Sequence, residues 1–216
     1  MIRVCVALLM LASQLHADPP ATRPTIEITR LPCTATRVMF DPKDPEPYIP
    51  RLNKGESAVT LSRFDCRADF RHELILTTER DGQIEVSIKL IGARVNLALQ
   101  DVIYLPTDVR PPLRVHEEGH RVINERIYDQ EAERFARDVA ESLLAKTWIA
   151  SGADREAAVQ KAIESAHTEI CTVYRERIAR RVSQVSDKFD ELTQHGSNDV
   201  RVVDAIERAF EACPPD

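Results

Sequence analysis

No stretch of this 216-residue chain is apolar for long enough to cross a bilayer. A spanning helix needs about 20 apolar residues in a row, and the longest run, Val4 to Ala12, is roughly half that, so no membrane anchor is expected. Clustered Lys or Arg is also missing. The densest basic run, Arg175 to Arg181, is interrupted by Glu176 and by apolar residues at helical spacing, which is the pattern of a solvated helix face. Nothing is broad enough to track a phosphate backbone, and nucleic acid is excluded as a partner. No C-x-x-C spacing occurs, which argues against a cysteine-rich metal site. Internal repeats and low-complexity tracts are absent as well.

What the chain does have begins at its N-terminus. Arg3, the apolar run and the small-residue exit Leu15-His16-Ala17 before Asp18-Pro19-Pro20 have the layout of a secretory signal peptide. The expected mature protein is therefore exported, to the periplasm or beyond, and no lipid-attachment cysteine follows the apolar run. Residues 1–17 carry one of the 29 basic residues and none of the 35 acidic ones, so 28 minus 35 leaves a mature net charge of −7. Cys5 leaves with this segment. Cys33, Cys66, Cys171 and Cys213 remain, an even number in an oxidising compartment, and two disulfides are expected. Cys33 with Cys66 and Cys171 with Cys213 are the favoured pairs, because each falls within one segment of similar secondary structure.

The periodicity divides the rest in two. In residues 18–107 the prolines of Asp41-Pro42-Lys43-Asp44-Pro45-Glu46-Pro47 forbid helix, and alternation near period two marks strands at Thr25 to Thr29, Ala58 to Leu61, Leu74 to Thr77, Ile84 to Ile88 and Val95 to Tyr104, with a turn at Asp81-Gly82. In residues 108–216 the period becomes helical. One apolar stripe runs through Val122 or Ile123, Ile127, Phe135, Val139 and Leu143; a second runs from Val159 through Ile170, Ile178 and Phe189 to Leu192. Gly152 is placed to end the first long helix and Asp154 to cap the second, giving an antiparallel hairpin, with a short final helix from about residue 198 to 210. The predicted fold is α+β: a mostly antiparallel sheet packed on a long helical hairpin in one compact, zincin-like domain.

His116-Glu117-Glu118-Gly119-His120 opens the first long helix. Residues four apart lie on one helix face, so both imidazoles can reach one tetrahedral cation, and Glu117 falls beside the open coordination position as a general base. The third ligand follows from the hairpin. Folding about Gly152 sets residue 118 opposite about residue 186, and His195 lies just past that level, whereas His167 would stand about 25–30 Å up the axis. His116, His120 and His195 are the expected ligands, and three imidazoles favour zinc. Position 126, where a third His would complete a longer motif, is Arg126, and Glu141 should lie too far along the helix. Asp187, Asp190 and Glu191 near a helix C-terminus oppose the macrodipole, which marks Asp190 as a carboxylate able to orient a ligating imidazole. Tyr104, Tyr128 or an Arg remain open as oxyanion donors.

Together, His116 to His120 in the form H-E-x-G-H and Phe189, Asp190, Thr193, His195 and Gly196 in the form aromatic-D-x-x-T-x-H-G resemble an uncharacterised bacterial family described as predicted secreted zinc-dependent proteases. The resemblance implies peptidase activity on a peptide or protein substrate, with Thr193 beside Asp190 among the groups supporting the ligands. Two other classes stay open: a non-catalytic exported binding module with a structural metal, and a zinc amidase acting on cell-wall links. Nothing in the pattern fixes the oligomeric state.

Overall fold

The computed structural model describes residues 24–44, 49–52 and 57–215; the expected signal peptide and part of the proline-rich segment lie outside these. The elements are β1 (Thr25–Arg30), β2 (Thr34–Phe40), β3 (Val59–Arg80), β4 (Gln83–Pro106), α1 (Pro111–Leu144), β5 (Thr147–Gly152), α2 (Arg155–Thr193) and α3 (Val202–Ala212). The fold class is α+β.

β3 and β4 form one long antiparallel hairpin closed by Asp81 and Gly82, which take φ of 53° and 73° as a two-residue turn requires. Three short strands lie end to end along the other edge of β4. β5 pairs antiparallel with Ile84–Lys89, while β1 and β2 pair parallel with Gly92–Leu97 and Gln100–Pro106. The expectation of a mostly antiparallel sheet is corrected here. A tight turn forces its two strands to run antiparallel, but β1 and β2 reach β4 through longer connections that leave their direction to packing.

The sheet buries one face. Val86, Ile88 and Leu90 are fully buried, and the alternation resumes one residue out of phase at Ala93, Val95, Leu97 and Leu99. The slip coincides with a bulge, where the partners of Gly92 and Leu90 are the consecutive Arg71 and His72. Against Ala93 to Leu99 pack Ile123, Ile127, Phe135, Val139 and Leu143 of α1 and Ile170, Tyr174, Ile178 and Phe189 of α2, and against Val86 to Leu90 pack Leu144 of α1 and Ala158, Ala162 and Ala166 of α2. The helical stripes are those the sequence predicts, with Ile123 rather than Val122 facing inward.

The helical hairpin has a different turn from the predicted one. α1 ends at Leu144, and β5 returns the chain along the sheet before α2 begins. Gly152 ends that strand. A Cβ on it would lie 2.5 Å from the Ala158 nitrogen, so glycine is needed for close approach to α2. Asp154 does cap α2, its carboxylate accepting from the Ala157 amide at 2.8 Å. Far from this turn, Arg181 of α2 donates to both carboxylate oxygens of Glu131 of α1 at 2.9 and 3.0 Å, and to the Cys213 carbonyl behind α3 at 2.6 Å.

The disulfide joins Cys66 of β3 to Cys171 of α2, with Cα atoms 5.3 Å apart, and Cys33 and Cys213 are free. Both favoured pairings are therefore wrong. Partner choice is set by the packing of α2 over β3, which brings residues 105 positions apart into contact, rather than by membership of one segment. Burial pushes the Cys33 thiol up to about 11, which favours its protonated form.

Candidate metal centre

α1 starts with Pro111 and Pro112, whose missing amide hydrogens lose nothing in a first helical turn. One turn later His116 and His120 project from the same face towards the last turns of α2. The helices meet at Gly119, where a Cβ would stand 2.5 Å from the Phe189 ring; only hydrogen fits. Phe189 then lies flat on His116, with centroids 4.9 Å apart and planes 10° apart, and meets His120 edge-on at 5.2 Å. Gly196, at φ 72°, passes beside the Cβ of His116.

Three side-chain atoms converge. Asp190 Oδ1 is 3.1 Å from Nε2 of His116 and 3.1 Å from Nε2 of His120, and the two nitrogens are 3.2 Å apart. Bonds of about 2.0–2.1 Å from a tetrahedral cation place adjacent ligand atoms about 3.3–3.4 Å apart, so the triangle fits such an ion within a few tenths of an ångström. The group His116, His120 and Asp190 can hold a metal ion. Asp190 Oδ1 is buried without a hydrogen-bond partner despite its two close nitrogens. Burial raises its carboxyl, but the facing imidazoles, when they carry a proton on Nε2, outweigh that and hold it well below the usual carboxylate range, and a cation in the triangle takes the place of those protons. Both features describe an anionic oxygen suited to a positive centre.

Thr193 fixes the first imidazole. Its single hydroxyl proton goes to the Phe189 carbonyl at 2.8 Å, and its oxygen lies 3.2 Å from Nδ1 of His116. With the proton so placed, the oxygen accepts from an Nδ1–H, and the Nε2 lone pair of His116 faces the triangle.

Glu117 is buried in the same cleft, about 680 Å³ in volume, between the start of β3, the motif turn of α1 and the end of α2. The Thr60 hydroxyl is 2.8 Å from its Oε2 and 3.0 Å from its carbonyl oxygen. Burial raises the Glu117 carboxyl above its ordinary value, against the opposing pull of Thr60 and the two imidazoles.

His195, the expected third ligand, is not part of the triangle. α2 ends at Thr193, and the chain turns left-handed over Gln194 (φ 49°), His195 (φ 53°) and Gly196 (φ 72°). This turn leaves the His195 side chain 80% exposed, its Nδ1 3.7 Å from Asp190 Oδ1. Asp190 takes the expected position of His195. The signal was present in the sequence, as acids gathered at a helix end whose dipole disfavours them. Of the proposed oxyanion donors, Tyr128 is set aside because its hydroxyl lies between the Leu31 and Leu97 carbonyls in the core. Tyr104 lies on the face of β4 opposite to buried Ile103 and Leu105, away from α1.

No family model, curated protein or solved structure matches this chain. The site has to be read from its own chemistry.

Proposed function

We propose that this protein is an exported zinc-dependent peptidase, with the metal held by His116, His120 and Asp190 and with Glu117 as general base. The observation that carries the proposal is the triangle of ligand atoms with a buried carboxyl in the same cleft. Two imidazoles and one carboxylate with an open fourth position form a donor set used by hydrolytic zinc enzymes. Three imidazoles favour zinc outright; with Asp190 in the set, iron(II) becomes the competitor that metal analysis must exclude. A bound zinc ion supplies Lewis-acid polarisation and a more acidic water at the open position.

The chain's own residues account for the rest. Thr193 holds His116 in the ligating tautomer, and Phe189 fixes both ring planes. Glu117 is buried at the wall of the cleft, which raises its proton affinity and suits a group that takes a proton from water and passes it to a leaving amine. A peptide substrate is favoured because β3 pairs with β4 alone among the described strands. Its free edge at Val59–Ser62 borders the cleft, where an extended backbone can add as a further strand. A motif helix beneath a sheet edge is also the zincin-like part of the reading. The Cys66–Cys171 disulfide supports an oxidising compartment and so the proposed export.

Metal content and turnover test this together. The purified protein should hold one zinc per chain and cleave casein, and Glu117→Gln should keep the zinc while losing about 10²–10⁴-fold in turnover. Absence of any bound transition metal removes the proposal. Turnover of peptidoglycan fragments alone replaces peptidase with amidase.

A further inference from the structure

Asn124 stands one turn beyond His120 on the same face of α1 and lines the same cleft, yet takes no part in the metal triangle. Its Nδ2 donates to Ser62 Oγ of β3 at 2.5 Å and to Asp101 Oδ1 of β4 at 3.1 Å. Asp101 is 1% exposed and Asn124 2%. Two oxygens are left over: Asp101 Oδ2 and Asn124 Oδ1 are both buried and neither has a donor. Turning the amide over exchanges which of its atoms is unpaired and leaves the same deficit of one proton.

Among the described residues, an ionised Asp101 has no cation paired with it to offset its burial. The charges that act on it are Arg121 and Glu125 of α1, which are paired with each other at 2.5 Å. On the other strands around it, Ser62 of β3 is uncharged and offers its hydroxyl to the Asp101 carboxyl, and Ala35 of β2 is its parallel partner. The remaining titratable neighbour, Cys33, is a neutral thiol. A buried carboxylate in such surroundings is strongly disfavoured against its acid.

We infer that Asp101 is held as the neutral acid, its proton donated from Oδ2 to Asn124 Oδ1, so that an acid–amide pair latches α1 to the β3–β4 sheet beside the metal ligands. One proton then satisfies both orphaned oxygens. The latch has a positioning role. Ser62 is two residues along β3 from Thr60, which holds Glu117, and Asn124 is one turn along α1 from His120. The latch therefore sets the spacing of the two cleft walls. Burial pushes the Asp101 carboxyl up, against the hydrogen bonds from Ser62 and Asn124. With the folded value above the unfolded one, the stability from the latch is complete below the ordinary Asp range. It is lost as pH rises through the raised value. None of this depends on a bound metal.

Asp101→Asn is the test, because an amide–amide pair makes the same two hydrogen bonds without a titrating proton. Thermal unfolding of the metal-free protein is followed from pH 5 to pH 9 for both chains. The wild type should lose at least about 3 °C of Tm relative to Asp101→Asn over that range. Infrared difference spectra at pH 7 should show a protonated-carboxyl stretch in the wild type that the variant lacks. Zinc stoichiometry should be the same in both. A variant destabilised equally at every pH, or a wild type with no protonated carboxyl at pH 7, overturns the inference. Should Asp101→Asn fail to fold, the spectrum of the wild type between pH 5 and pH 9 decides alone.

Discussion

Thr193→Val isolates the least conspicuous contact in the metal centre. Valine matches threonine in shape and removes only the oxygen that accepts from Nδ1 of His116 at 3.2 Å. Thr193 is 2% exposed, so no water is at hand to replace that acceptor. The imidazole must then bury an unpaired N–H, at about 1–3 kcal/mol, or shift its proton to Nε2 and forfeit the lone pair that faces the triangle. Groups that orient a metal-ligating His typically contribute 10–100-fold to affinity, or about 1.4–2.7 kcal/mol, which agrees with the cost of the orphaned donor. The assay is a competitive zinc titration of metal-free protein against a chromophoric chelator. Thr193→Ser serves as the restoring variant and thermal melts verify folding. Wild-type and Thr193→Ser affinities should agree within a few-fold, with Thr193→Val weaker by about 10–100-fold. A valine variant that binds zinc as tightly as the wild type refutes the argument, since the tautomer would then be set by something other than this hydroxyl.

The other predictions concern ligand identity, the disulfide and the helix crossing. Asp190→Ala should purify without stoichiometric zinc while His195→Ala keeps it, as read by metal analysis; the reverse pattern restores His195 as the third ligand. Peptide mapping under non-reducing conditions should recover Cys66 linked to Cys171, and Cys66→Ser should destabilise the chain by about 4–5 kcal/mol, given the long loop it opens. In a scanning calorimeter that is a fall of about 10 °C or more. Gly119→Ala drives a methyl into the Phe189 ring, 2.5 Å away. Overpacking of this kind should cost about 1–3 kcal/mol, and because the ring must leave its stack on His116, zinc affinity should fall in the same variant. Unchanged affinity in a destabilised Gly119→Ala would show that the stack is only packing.

The sequence makes legible whatever depends on neighbours along the chain. His116 and His120 share a face because a helix repeats every 3.6 residues, and the stripes through Ile127 and Ile170 become core for the same reason. The Asp81-Gly82 turn and the Asp154 cap are local hydrogen-bond chemistry and stand where the residues put them. Even the return of α2 to the motif follows from helix length, since two long helices folded back to back must bring their far ends together. The misses are of another kind. β5 is not legible in the sequence because Thr147 to Gly152 does not alternate between polar and apolar residues, and it is a strand only because the edge of β4 is free to receive it. The direction of β1 and β2, and the pairing of Cys66 with Cys171, depend on how layers stack. That Asp190 rather than His195 faces the two imidazoles turns on the left-handed steps from Gln194 to Gly196, which no helical repeat contains. Short-range periodicity determines the elements and the two histidines; which groups across the fold complete their site is decided by packing, because those distances are set by side-chain volumes rather than by spacing in the chain.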